Sequence, residues 1–326
     1  MFKALKPALV AAFVCLANLS FAWNDVGHQL VADLAYRRLP VKMRQKAVAL
    51  LKQLPTYERD IASRMPANLT PEQQDEFIFA MCSTWPDIIR SPNHPRNRTD
   101  HHAVWHYCDL GIVDPRDPID WETTVPKFGN IKDPDNAVDA IEHNMEILKG
   151  TAPDPEKAIA LCWILHIIGD IHQPLHCATM YSKALPQGDY GGSGFLLADT
   201  DNTSRTEKLH SIWDGMLGSR QSFAEILKMR DILEGCPCYN RQYFASELRK
   251  KTYLSWIREG HAICKREVYL LGSKEPLKGI NYKQRDAGVK APELPKNYLK
   301  RGDLVASRQA SVASFRLADT LRTVLK

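Results

Sequence analysis

A chain of 326 residues with 44% hydrophobic content carries enough apolar side chains for a real core, which excludes wholesale disorder. Its length suits one large domain or two ordinary ones. The net charge of +5 permits an anionic substrate without requiring one.

The first 22 residues, MFKALKPALVAAFVCLANLSFA, hold two lysines, an apolar stretch and then Ser20-Phe21-Ala22. This is the layout of a secretory signal cleaved after Ala22. The apolar stretch is short for a membrane span. Cleavage makes Trp23 the first mature residue, and the expected protein is exported and soluble, either secreted or periplasmic. Beyond it, residues 25 to 53 alternate apolar and polar positions at helical spacing, interrupted only at Pro40. Thr70-Pro71 starts a helix over 71 to 84. Residues 90 to 135, rich in Pro, Asp, Asn and Gly, read as a long loop region. A helix from Asn136 to Leu148 follows, then an apolar helix from Pro155 to Ile171, stopped near Pro174. Residues 182 to 204 contain the glycine-rich loop GDYGGSG. Further helices are predicted over Glu207–Leu217, Ser222–Leu233, Tyr243–Val268 and Leu304–Leu325. Strand signals are short and weak, so the expected fold class is mainly α, with long loops.

Signal cleavage would leave seven cysteines, an odd number, so at least one is unpaired or paired between chains. Cys236-Pro237-Cys238 lies in a loop-like stretch and is the expected disulfide position, with its partner left open. Asn68, Asn97 and Asn202 stand in glycosylation sequons.

Chemistry concentrates in LHIIGDIHQPLH, residues 165 to 176, where three histidines and an aspartate interrupt an apolar run. Burying such groups is costly unless something pairs with them. Residues four apart share a helix face, so His166 and Asp170 form one HxxxD pair, and His210 and Asp214 in KLHSIWD form another. Imidazole nitrogen and carboxylate oxygen are ligands that zinc accepts. The same spacing also suits a surface salt bridge or a satisfied core histidine. His176 falls just past the first helix, where a turn at Pro174 swings it back. Upstream, STWPDIIR offers Asp87 and Arg90, DHHAVWHYCDL offers His101, His102, His106 and Asp109, and WNDVGH offers His28 with the amino group of a mature Trp23.

These motifs together, with GDYGGSG and FRLADTL near the end, resemble the zinc-dependent S-one/P-one nuclease family across nearly the whole mature chain. The resemblance implies a single catalytic domain over residues 23–326. It implies a helical bundle of the phospholipase C / nuclease P-one type. It also implies three Zn2+ ions. One would take Asp87, His106, His166 and Asp170. A second would take Trp23 through its amino nitrogen and carbonyl, His28 and a bridging Asp170. The third would take His176, His210 and Asp214. The implied activity is hydrolysis of single-stranded DNA and RNA at the P–O3′ bond to 5′-phosphorylated products, with nucleotides as further substrates through 3′-nucleotidase action. The implied catalytic residues are Asp87, Asp170 and Arg90, which steadies charge on phosphorus. Tyr107 and Asp109 would stack on and hydrogen-bond a nucleobase. A monomer is expected. His172 matches no metal position and is expected to be structural. Ser193 departs from the family's asparagine after the two glycines, which puts loop anchoring or substrate fit in doubt. Asp189 keeps the family's residue type in a supporting role. Two alternatives are a zinc-dependent phospholipase C and a non-catalytic zinc- or nucleic-acid-binding protein. The five-residue step from Trp23 to His28, and aspartate at 214, favour the nuclease over the lipase.

Overall fold

The computed structural model describes residues 23–119, 126–219 and 221–326. The expected signal segment, residues 1–22, lies outside the described residues. The fold is mainly helical, as the periodicity predicts. Helix α1 spans Asp25–Arg38 and starts at Asn24, whose side-chain oxygen accepts the Val26 and Gly27 amides at 3.1 and 3.2 Å. Asn caps satisfy amides that have no partner within the helix. Pro40 separates α1 from α2 (Val41–Leu51). Helix α3 (Pro71–Cys82) starts at Thr70 with a reciprocal capping box to Gln73. Asn136 caps α4 (Ala137–Lys149), and α5 runs from Asp154 to Asp170.

Helix α5 is the axis of the molecule. From Ala160 to Asp170 every side chain is buried, which explains why it is apolar on all faces. Helices α1, α2 and α4 pack against it. So does the C-terminal helix α9 (Tyr298–Val324). Further helices are α6 (Leu209–Asp214), α7 (Phe223–Gly235) and α8 (Tyr253–Ile263), which passes into a π turn over Cys264–Val268, and shorter helical turns lie at Tyr57–Asp60, Ala245–Leu248 and Tyr282–Asp286. Helix α9 begins six residues before the predicted Leu304, because the polar YLKRGD segment hides a helical start anchored from below. The buried Tyr298 hydroxyl accepts from Trp213 Nε1 at 2.9 Å and donates to the Val268 carbonyl at 2.8 Å.

The region predicted as a long loop has more order than its composition suggests. It carries helical turns at Trp85–Ile88, Asn97–Asp100 and Ala103–His106, and strand β1 at Leu110–Val113. Strand β1 pairs in parallel with β2 (Ala178–Tyr181), Leu110 opposite Ala178. Strands β3 (Leu196–Ala198) and β4 (Thr206–Lys208) form an antiparallel pair beyond the glycine-rich loop. Strands of three or four residues are too short to show a period of two. Cys236 and Cys238 are bridged to each other, which resolves the partner left open by the sequence. Cys82, Cys108, Cys162, Cys177 and Cys264 are buried thiols.

A tight turn follows α5 closely. Residues Pro174–His176 form a 3-10 turn, and α8 crosses directly over the segment. A Cβ on Gly260 would lie 2.4 Å from Cys177 Sγ and 2.9 Å from Cys177 Cβ. Such overpacking typically costs about 1–3 kcal/mol. Gly260→Ala is therefore expected to lower stability by that amount, read as a reduced Tm in thermal unfolding; an unchanged Tm would mean that α8 does not brace this turn.

Candidate metal centre

The C-terminal end of α5 delivers His166 and Asp170 to one face, four residues apart. Around Asp170 three imidazoles converge. His166 Nε2 and His106 Nδ1 both stand 3.1 Å from its Oδ2, and His28 Nε2 stands 3.2 Å from its Oδ1. The last contact is at ion-pairing distance but off the hydrogen-bonding direction, so both atoms remain without a hydrogen-bond partner. The His28 and His166 rings stack at 3.9 Å. Gly169 permits this approach of α1 to α5, since a Cβ there would stand 3.0 Å from His28 Nδ1. Asp87, on the turn after α3, brings Oδ1 to 4.0 Å from His166 Nε2, and Arg90 Nη1 donates to that same oxygen at 3.0 Å. Trp23 is fully buried, with its Cδ1 beside the same Gly169 position.

The second HxxxD pair sits close by. His210 Nε2 is 3.4 Å from Asp214 Oδ2, and the His176 and His210 rings lie 4.9 Å apart. The donor atoms thus fall into three groups, each within 4.8 Å: His28, His166 and Asp170; Asp87, His106 and His166; and His176, His210 and Asp214. All eight of these side chains are buried. The main-chain amide of Asn24, next to Trp23, donates to the Asp214 carbonyl at 3.3 Å, tying the start of α1 to this last group.

The tautomers are set from behind. His166 Nδ1 donates to the Ser83 carbonyl at 2.7 Å, His176 Nδ1 to the His106 carbonyl at 2.7 Å, and His210 Nδ1 to the Gly191 carbonyl at 2.6 Å. In each case the proton is held on Nδ1, which leaves Nε2 a lone pair for a cation. Gln173 Nε2 donates to Asp214 Oδ1 at 2.8 Å. These partners, Ser83, Gly191 and Gln173, were missed by sequence reasoning. Two act through main-chain carbonyls, which no residue spacing reveals. Asp60 was missed as well: it accepts from Trp85 Nε1 at 3.0 Å and pairs with His94 at 3.1 Å, fixing the turn that carries Asp87.

The charge balance of the site suits a cation. Asp170 ends α5 and Asp214 ends α6, and helix C-termini disfavour carboxylates. Burial pushes Asp214 well above the carboxylate range; the Gln173 hydrogen bond opposes this, and Asp170 and Asp87 add to it. Burial would also raise Asp170, but His166, His28 and the hydrogen bond from His106 hold it well below that range. Burial pushes His106 down to about 4 despite its bond to Asp170. Buried atoms without a hydrogen-bond partner gather here: His28 Nε2, Asp87 Oδ2, His106 Nε2, Asp170 Oδ1 and His176 Nε2. Each such atom costs about 1–3 kcal/mol if left uncompensated. Several orphaned donors of zinc-accepting type in one pocket are what bound metal would satisfy.

The other candidates lie around the loops beside these groups. Tyr107 is 39% exposed at the edge of the site. The Asp109 carboxylate accepts from Thr179 Oγ1 at 2.8 Å, with its Oδ1 buried and unpartnered. Asp189, within the glycine-rich loop, accepts the Met180 amide at 2.9 Å and the Tyr269 hydroxyl. Ser193 lies in that loop, its carbonyl accepting from the Tyr282 hydroxyl at 3.2 Å. His172 is structural: its Nδ1 donates to the Ile168 carbonyl at 2.7 Å and its Nε2 accepts from Arg316 at 2.9 Å.

Comparison with known proteins gives the same direction. A family model described as S1/P1 Nuclease matches residues 23–326. Nuclease S1 of Aspergillus oryzae is 25% identical over 205 residues, covering 63% of this chain and 57% of that protein. Endonuclease 4 of Arabidopsis thaliana is 26% identical over 225 residues, covering 64% and 60%. Endonuclease 3 of the same plant is 25% identical over 211 residues, covering 62% and 56%. The chain thus spans less than two thirds of the length of these curated relatives. A match over the whole described region, with buried His/Asp groups suited to metal, places this chain in the S1/P1 nuclease family.

Proposed function

We propose that this protein is an exported, zinc-dependent hydrolase of single-stranded DNA and RNA. It would cleave the P–O3′ bond to leave 5′-phosphates and also remove 3′-phosphates from nucleotides. The observation that carries the reading is the convergence of buried His and Asp donors into three groups. The family match and the nuclease names of the relatives support the substrate class. Among the described residues no helix is long and apolar enough to cross a membrane.

Three zinc ions would be held as the family pattern implies. Asp87, His106, His166 and Asp170 would hold one. Trp23, His28 and Asp170 would hold the second, the first through the main-chain amine that cleavage after Ala22 exposes. His176, His210 and Asp214 would hold the third. Bound metal would supply a lowered pKa for water and positive charge for phosphate oxygens. The protein's own groups do the rest. Arg90, steered by its 3.0 Å bond to Asp87, would stabilise charge building on the phosphate. Ser83, His106 and Gly191 carbonyls hold the imidazoles so that no reorganisation is needed during reaction. Tyr107 would stack on a splayed base and Asp109 would accept its N–H groups.

Three outcomes test this reading. Mature protein starting at Trp23 should hold three zinc ions by elemental analysis and release 5′-phosphorylated products from a single strand. A version with Gly-Ser before Trp23 should lose about one ion and most activity. Products with 3′-phosphates, or a full metal complement in the extended version, would contradict it. Arg90→Ala should lower kcat about 10²–10³-fold, with Arg90→Lys restoring only part because the planar fork is lost. A fall in Tm with kcat unchanged would make Arg90 a structural ion pair.

The third outcome concerns pH. Burial pushes the Asp109 carboxyl up to about 7, with the Thr179 hydrogen bond opposing and Asp189 adding. The folded chain therefore binds more protons here than the unfolded chain between the ordinary carboxylate value and about 7. The stability contributed by this group is greatest at acid pH and falls as pH rises through that window. Asp109→Asn should accordingly gain stability relative to the parent protein as pH rises from about 5 to about 8. Parallel thermal unfolding across that range checks it, and a constant difference in Tm would place the carboxyl's titration elsewhere.

A further inference from the structure

The glycine-rich loop holds a backbone conformation that its sequence does not require. Tyr190, Gly191 and Gly192 lie in succession at φ 54, 60 and 81°. Left-handed conformations are routine for glycine, but a bulky side chain adopts them at a cost. Glycine at 190 would remove that cost, yet the position holds tyrosine. Its ring is not repaid by burial, since Tyr190 is 62% exposed. Its hydroxyl makes a 3.3 Å bond to Gln187, also on the surface. An exposed aromatic held in a strained conformation points to a use outside the fold.

The loop is wired to both ends of the site. The Gly191 carbonyl accepts from His210 Nδ1 at 2.6 Å, and the Gly191 amide donates to Thr179 Oγ1 at 3.1 Å. Thr179 in turn donates to Asp109 at 2.8 Å. A Cβ at Gly191 would lie 2.6 Å from the Leu175 carbonyl, so the loop is pressed against the turn that carries His176. Strand β2 turns Thr179 and Tyr181 to the same side, two residues apart. Both pack under Gly188, where a Cβ would meet Thr179 Cγ2 at 2.2 Å and Tyr181 Cε1 at 3.0 Å. Burial raises the Tyr181 hydroxyl, with Asp109, Asp189 and Tyr190 in electrostatic reach. The residue next to Tyr190 is therefore bonded directly to His210 and, through Thr179, to Asp109.

We propose that Tyr190 is a nucleobase-stacking subsite, separate from Tyr107, which takes a second base of a single strand lying across the metal centre. This inference rests on the nuclease reading and adds to it. An exposed ring accepts any base face, so the subsite carries no sequence preference. It selects against duplex, whose paired bases cannot leave their stack to lie on a protein ring. The left-handed backbone holds the ring out from the loop before the strand arrives, so little ordering remains at binding.

The test uses zinc-loaded protein beginning at Trp23. Tyr190→Ala, Tyr190→Gly and Tyr190→Trp are titrated with a fluorescein-labelled single-stranded oligodeoxynucleotide carrying a cleavage-resistant phosphorothioate backbone. Values of kcat and KM are measured on the unmodified strand. Tyr190→Ala and Tyr190→Gly should raise Kd and KM roughly 5-fold or more, with kcat within about twofold, because stacking on one base is lost. Tyr190→Trp should bind at least as tightly as the parent. Tyr190→Gly should also unfold at the same or a higher Tm, since strain is relieved, so its weaker binding is not a folding defect. An unchanged Kd in Tyr190→Ala overturns the inference, and so does an equal loss in Tyr190→Trp. A parent protein that cleaves the strand with no dependence on Tyr190 sinks the subsite alone. One that binds the strand through Tyr190 but cleaves nothing sinks the nuclease reading alone, and one that neither binds nor cleaves sinks both.

Discussion

Asp170 sits fully buried at the negative end of an apolar helix, with His28, His106 and His166 gathered on its two oxygens. Much of the architecture serves that arrangement. Helix α5 carries the carboxylate and His166 through the core, and α1 lies close enough across Gly169 to stack His28 on His166. The turn after α3 brings Asp87, and the 3-10 turn at Ala103–His106 brings His106. Four separate chain segments thus meet around His166 and Asp170. Without positive charge, such a meeting would leave orphaned donors in a low-dielectric interior. The apolar core sets the cost of the site, and the site explains the polar interruptions in the core.

A second layer distinguishes the two helix-end carboxylates. Asp170 is surrounded by imidazoles and is held ionised, whereas Asp214 has Gln173 as its direct donor and other carboxylates in its field. The pocket therefore presents one strongly anionic group and one that burial drives toward its neutral form. Arg90 offsets Asp87 in the same space. This uneven field is the setting in which the proposed phosphate chemistry would run.

Much of this was legible in the residues. The HxxxD spacing at 166/170 and 210/214 put each pair on one helix face, and the folded chain holds both pairs within 3.4 Å. Capping residues marked helix starts well: Thr70, Asn136 and Ser222 each open a helix where expected. The convergence of distant segments was not legible from spacing. It entered through the resemblance of seven motifs taken together. The strands escaped because three or four residues cannot display alternation. The supporting carbonyls escaped because a main-chain acceptor has no side-chain signature. Asp60 escaped because its pairing with His94 spans 34 residues and depends on how two turns meet. The start of α9 escaped because the buried hydroxyl that anchors it stands in a polar segment.

The clamps behind His166, His176 and His210 have an evolutionary corollary. Each imidazole is oriented by a peptide oxygen rather than by a neighbour's functional group. Point substitution at Ser83 alters what hangs from the chain but leaves the oriented oxygen in place while the chain keeps its path. Drift can therefore rewrite much of the surrounding sequence without rotating a ring. Distant relatives with low identity could share this geometry, and the changes it resists least are insertions and deletions that displace the backbone itself.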